Sequence, residues 1–217
     1  MNSITDTIRQ LGIVPVIKID DPEQAVPLAK ALEAGGLPLA EVTFRTSAAA
    51  QAIRNITAGC PEILVGAGTV TTTDQVDAAM DAGAAFLVSP GFNPRIVRYC
   101  IEKNIPIFPG TCTPGEMEQA MELGLETVKF FPAEAAGGTA FLKAVGGPYP
   151  QLRFIPTGGI NPENIAAYLK IKSVVACGGS WMVPADRIAA KDFETITRLT
   201  AGAVALVRRC REEGGTK

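Results

Sequence analysis

Lys129 stands inside an apolar run, Thr127-Val128-Lys129-Phe130-Phe131-Pro132, where aromatic residues follow it and a hydrated ammonium has no natural place. Desolvation disfavours the charged form and lowers a lysine pKa. At the ordinary value near 10.4 about one lysine in 2,500 is a free amine at pH 7, against about a quarter at a pKa near 7.5. Such a residue is a candidate nucleophile toward a carbonyl carbon. Lys18, in Val16-Ile17-Lys18-Ile19, has a comparable setting. Spacing does not choose between the two, and either could be a strand-end residue whose ammonium reaches back to water.

A second constellation lies in Glu41-Val42-Thr43-Phe44-Arg45-Thr46. The two-residue period of a strand puts Glu41, Thr43 and Arg45 on one side, with roughly 13 Å between the charges along the strand. Glu41 would then lie deep and Arg45 at the rim. A buried carboxylate is costly unless paired, so Glu41 is read as a structural partner of an inward lysine, as a proton shuttle, or as both. The third feature is a pair of glycine-rich stretches, Pro156-Thr157-Gly158-Gly159-Ile160 and Cys177-Gly178-Gly179-Ser180-Trp181. Paired glycines let backbone approach an anion closely, and a helix N-terminus beside them adds a favourable dipole. Tight turns alone would need the same residues. Together, an unsolvated lysine, an inward glutamate, a rim arginine and a phosphate cradle point to Schiff-base chemistry on a phosphorylated carbonyl compound.

Composition narrows the alternatives. The 217 residues contain no histidine, which removes Ser-His and Cys-His pairs, His-bearing zinc sites and imidazole acid-base chemistry. Twenty basic against 22 acidic residues leave a formal charge of -2, with no footprint for nucleic acid. Five cysteines, odd in number and without a C-x-x-C, argue against a disulfide framework and fit a reducing cytoplasm. The N-terminus lacks a signal-peptide pattern and no run of 18 apolar residues occurs, so neither export nor membrane insertion is expected.

The elements that must position these residues alternate regularly. Candidate strands are Ile13–Ile17, Leu39–Thr43, Ile63–Ala67, Ala85–Val88, Pro106–Phe108, Thr127–Phe131, Arg153–Ile155 and Val174–Cys177. Their starts lie about 21 to 26 residues apart, enough for a crossover helix and too long for a hairpin. Helix starts are marked by Asp21-Pro22-Glu23, Asn93-Pro94, Thr113-Pro114-Gly115-Glu116 and Asn161-Pro162-Glu163, and ends by Gly35-Gly36, Gly59, Gly83 and Gly124. A long C-terminal helix from about Asp192 to Glu213 precedes a tail, Glu213–Lys217, expected to fray. Eight strand-helix units, preceded by an N-terminal helix, predict an α/β fold: one (β/α)8 TIM barrel domain over residues 1–217, with its site on the loops after the strands. The rival, a doubly wound open sheet, lacks the early G-x-G after the first strand.

Across nearly the whole chain, Val14-Pro15-Val16-Ile17, Glu41 to Thr46, Gly66-Ala67-Gly68-Thr69-Val70, Ser89-Pro90-Gly91, Lys129 to Glu134, Pro156 to Ile160 and Gly178 to Trp181 follow in the order of a known family. The chain resembles the class I aldolases of 2-keto-3-deoxy-6-phosphogluconate (KDPG) and 4-hydroxy-2-oxoglutarate (KHG). The resemblance implies cleavage of KDPG to pyruvate and glyceraldehyde 3-phosphate, of KHG to pyruvate and glyoxylate, no cofactor or metal, and a homotrimer. It makes Lys129 the Schiff-base lysine and leaves Lys18 secondary. It implies Glu41 as general acid and base, Arg45 and Thr69 as binders of the pyruvate carboxylate, Thr157 as a polar contact beside the imine and Phe131 as an apolar wall. Gly158, Gly159, Gly179 and Ser180 correspond to the phosphate grip. Rival functions are a galactonate-type phospho-aldolase, a sugar-phosphate epimerase with Glu41 as base and no covalent lysine, and a non-enzymatic phosphate-binding barrel.

Overall fold

The computed structural model describes residues 3–214, so the last three residues of the expected fraying tail lie outside the described chain. Helix and strand alternate throughout, as the spacing predicts. Helix α1 (Ile4–Leu11) opens the chain, capped by the Ser3 hydroxyl, which accepts from the Asp6 N–H. Strands β1 (Ile13–Ile17), β2 (Leu39–Thr43), β3 (Leu64–Gly68) and β4 (Phe86–Val88) follow, separated by α2 (Ala25–Ala34), α3 (Ala49–Gly59) and α4 (Thr73–Asp81). Every residue of β2 is buried, the pattern of a parallel strand covered on both faces.

The fifth expected strand is two. Ile107–Phe108 (β5) pairs with β4, and Gly110–Thr111 (β6), beyond α5 (Pro94–Glu102), pairs instead with β7 (Thr127–Phe130). Pro109 causes the break: it has no N–H to give a ladder, and its carbonyl turns to accept from the Lys129 N–H at 2.9 Å. Helix α6 (Pro114–Glu122) carries the expected capping box, with Thr113 and Glu116 satisfying each other's backbone. After β7 come α7 (Gly138–Val145), β8 (Arg153–Pro156), α8 (Ile165–Leu169), β9 (Cys177–Gly179), α9 (Ala185–Ala189) and α10 (Phe193–Gly214). The last expected strand is shifted: Val174 makes only an isolated bridge to Phe154, and the ladder begins at Cys177. Asn161 accepts from the Glu163 and Asn164 N–H groups as a capping residue would, yet α8 itself starts four residues later.

All strand pairings are parallel, in the orders β5-β4-β3-β2-β1-β9 and β6-β7-β8. Strand β9 returns to β1 in the register Ile13 with Cys177, and Thr157, just past β8, bridges to Gly178. The core lies inside and behind this parallel sheet, built from aliphatic side chains such as Ile13, Ile17, Leu39, Val42 and Phe154. Helix α10 packs on α2, where Thr197 donates to the Ala31 carbonyl at 3.2 Å. Among the described residues no helix is long and apolar enough to cross a membrane. The five cysteines are all free thiols.

Candidate active site

Strand β7 carries Lys129 into the interior, where the residue is 5% exposed and its Nζ lies 5.0 Å from the centroid of the Phe131 ring. The pairing partners are Gly110 on one side and Ile155 on the other. Lys18, the alternative nucleophile, sits differently: its ammonium meets the Asp20 carboxylate at 2.7 and 2.9 Å, with 41% of the side chain exposed. The two lysines that share a comparable sequence setting therefore differ in burial: Lys129 lies inside the fold, and Lys18 lies at its surface in an ion pair.

Glu41, on β2, is 3% exposed and makes no hydrogen bond or ion pair among the described residues; its Oε1 is fully buried without a partner. The expected ion pair with an inward lysine is thus not formed as a contact. Burial pushes the Glu41 pKa up, and the Lys129 and Arg45 charges oppose that shift without cancelling it. The carboxylate fits because β3 supplies Gly68 beside it: a Cβ there would lie 2.2 Å from Glu41 Oε1. Glu41, Lys129 and Thr157 border one internal cavity of about 10 Å³, room for roughly one water molecule, closed elsewhere by Ile8, Phe86 and Phe108. Through Ile8, the N-terminal helix α1 contributes to the lining of this cavity.

Arg45 departs from the expected strand geometry. Strand β2 ends at Thr43, so Arg45 stands in the following turn, exposed at the rim. Its placement comes from Thr43, whose hydroxyl donates to the Ile17 carbonyl at 2.7 Å and accepts from Arg45 Nε at 2.9 Å. The strand period places Thr43 on the inward side, and nothing in the sequence alone signals that it orients Arg45. Thr69, after β3, holds a left-handed φ of 58°, rare for a β-branched residue and characteristic of backbone held in place by its surroundings. Thr157 is buried, takes the Phe130 carbonyl with its N–H at 2.9 Å, and packs against Gly178, where a Cβ would fall 2.3 Å from its Oγ1.

Gly158 and Gly159 have φ of 100° and 80°, a turn that other residues enter only with strain. The Gly158 carbonyl accepts from the Glu134 N–H at 3.1 Å and the Gly159 carbonyl from Asn164 Nδ2 at 2.9 Å. Gly179 ends β9 against the Trp181 ring and is followed by exposed Ser180, beside the Thr157–Gly178 bridge. The expected residues therefore lie within the strands and at their C-terminal ends: Lys129, Glu41 and Thr157 buried inside, Phe131 half-buried in the turn after β7, Gly179 at the end of β9, and Arg45, Thr69, Gly158, Gly159 and Ser180 on the loops beyond. A separate groove of about 670 Å³, bordered by Arg9, Thr127 and Arg153, lies at the opposite strand ends and includes none of them. Among the described residues no cluster of three metal-ligating side chains occurs.

A lysine buried in a parallel strand, a neighbouring buried carboxylate and glycine turns after the last strands are the groups that a lysine-dependent carbonyl enzyme on an α/β scaffold would need. The chain belongs to the KDPG and KHG aldolase family, whose family model matches residues 4–199. It is 49% identical over 207 residues to the 2-dehydro-3-deoxy-phosphogluconate aldolase of Treponema pallidum (strain Nichols), covering 95% of this chain and 99% of that one. It is likewise 49% identical over 192 residues to the KHG/KDPG aldolase of Escherichia coli (strain K12), covering 88% and 90%. Among solved structures, the KDPG aldolase of Legionella pneumophila with pyruvate captured at low pH as a covalent carbinolamine intermediate superposes with a TM-score of 0.89. That match is at 39% identity and covers 93% of this chain and 98% of that one.

Proposed function

We propose that this chain cleaves KDPG to pyruvate and glyceraldehyde 3-phosphate, and KHG to pyruvate and glyoxylate, through a Schiff base on Lys129. The observation that carries the assignment is the juxtaposition of Lys129 and an unpartnered Glu41 carboxylate on one internal cavity. The amine of Lys129 adds to the C2 ketone, and loss of water from the carbinolamine gives a protonated imine. Glu41 takes the proton of the C4 hydroxyl. The C3–C4 bond then breaks, its electron pair passes into the imine to form an enamine, and the aldehyde leaves. Glu41 returns its proton to C3, and water hydrolyses the imine to free pyruvate and the lysine.

The remaining roles rest on the family resemblance, and the positions of these residues agree with them. Arg45 and Thr69, on the loops after β2 and β3, bind the pyruvate carboxylate; Thr157 contacts the imine; Phe131, with its ring against the ammonium, walls the pyruvate pocket. Gly158, Gly159, Gly179 and Ser180 grip the phosphate. The scaffold is read as one closed (β/α)8 barrel domain over residues 1–217, the two sheets joining through Pro109 and through the Thr157–Gly178 bridge. The enzyme acts in the cytoplasm as a homotrimer, a reading supported by its free thiols and by the family resemblance. The test is direct: purified protein is given KDPG and, separately, KHG, and pyruvate release is followed by coupling to lactate dehydrogenase. Stoichiometric pyruvate supports the reading, and none from either substrate overturns it.

A further inference from the structure

Tyr168, on α8, is among the largest wholly buried side chains, and a buried phenol needs a hydrogen-bond acceptor. The acceptor is Glu134 Oε1, in the turn after β7. Burial and this bond both push the Tyr168 pKa up, so the hydroxyl remains a donor at neutral pH. Glu134 is otherwise an exposed residue whose carboxylate could lie in water, yet it is turned back toward α8. Its backbone N–H donates to the Gly158 carbonyl at 3.1 Å. Its Cβ and Cγ fill the space at Gly159, where an added Cβ would meet both at 2.7 Å. The start of α7 closes over the pair, since a Cβ on Gly138 would lie 3.2 Å from both Glu134 Oε1 and the Tyr168 hydroxyl. Glu134 thus meets both glycines of the turn, Gly158 through its backbone N–H and Gly159 through its side chain, and that side chain is held by one buried hydroxyl.

We propose that Glu134 and Tyr168 are positioning residues for the phosphate: the Tyr168 hydroxyl fixes Glu134 beneath Gly158 and Gly159 and keeps the turn shaped before the substrate arrives. The inference rests on reading that turn as the phosphate site. A preshaped turn spares the ordering cost at binding, and a hydrogen bond to a carboxylate is stronger than one between neutral groups. Neither side chain borders the cavity at Lys129 and Glu41, so the imine chemistry does not depend on the pair.

The test compares two reactions of the same enzyme: cleavage of KDPG, and exchange of the C3 protons of pyruvate with D2O, a half-reaction without phosphate. Tyr168→Phe removes only the hydroxyl. It should raise KM for KDPG by about tenfold while kcat and pyruvate exchange stay within about twofold. Glu134→Ala should reproduce that change, and Glu134→Gln, which keeps an acceptor oxygen, should recover KM to within about threefold of wild type. Because Glu134 is exposed, its variants decide the matter if Tyr168→Phe fails to fold. Pyruvate exchange falling in step with cleavage, or an unchanged KM in folded variants, overturns the proposal. Ser180→Ala separates the two levels: if it leaves KM for KDPG unchanged, the phosphate site itself is misassigned and the proposal falls with it. A raised KM there with an unchanged KM in Glu134→Ala overturns the positioning role alone.

Discussion

Gly68→Ala is a single methyl group aimed at the Glu41 carboxylate. Gly68 belongs to β3, opposite Thr43 of β2, and its backbone needs no left-handed conformation, so alanine meets no strain of its own there. The new Cβ would stand 2.2 Å from Glu41 Oε1 and 2.9 Å from both Cδ and Cγ. Ordinary contact begins near 3.4 Å, so the carboxylate oxygen must move by roughly 1.2 Å, and a misplacement of about 1 Å costs on the order of a hundredfold in rate. Overpacking a well-filled interior costs about 1 to 3 kcal/mol, which a folded domain of this size can absorb. Steady-state cleavage of KDPG beside urea unfolding should therefore show kcat/KM falling by about a hundredfold in a protein that still unfolds cooperatively. A folded Gly68→Ala enzyme with wild-type kcat/KM would refute the placement of Glu41 as the group that moves the proton.

Glu41→Gln should abolish cleavage and change the pH dependence of stability in a defined direction. Burial holds the Glu41 pKa above its ordinary value of 4.5, so its contribution to stability is full below that value and falls as pH rises through the raised one. Glutamine escapes that loss, and the variant's urea midpoint should gain on wild type as pH rises above 4.5; a variant that loses ground to wild type as pH rises contradicts the reading. Arg45→Lys keeps the charge but loses the planar fork, and should raise KM for pyruvate-bearing substrates by about tenfold in the cleavage assay. Thr43→Val, which removes the hydroxyl that orients Arg45, should shift KM in the same direction, and should add nothing in an Arg45→Ala background.

The parts of this site legible in the sequence were those with a local signature. Alternating apolar runs and capping signals located seven of the eight expected strands to within a residue at each end, the last starting three residues later than expected, because periodicity and caps act over a few neighbours, as the Thr113 capping box illustrates. The positions of Lys129 and Glu41 inside the fold followed from polar residues embedded in such runs. Choosing Lys129 over Lys18 did not, since the Asp20 contact that marks Lys18 as solvated is a side-chain event at the strand's end. The break at Pro109 is a change of pairing partner between two sheets, which no window of sequence contains. The same holds for Gly68 and for the Tyr168–Glu134 bond: each joins residues far apart in the chain, and neither a lone glycine nor a lone tyrosine signals its partner. Arg45 lay beyond the strand that was expected to carry it because the ladder stops at Thr43.

The central claim is that Lys129 forms a covalent imine with pyruvate. Borohydride reduction makes such an imine permanent, so the protein is incubated with pyruvate, reduced, and read by intact mass and peptide mapping. A single pyruvate-derived adduct on Lys129, absent when Lys129→Met is treated identically, is the predicted result. An adduct on Lys18, or no adduct on any lysine of a protein that cleaves KDPG, would contradict it.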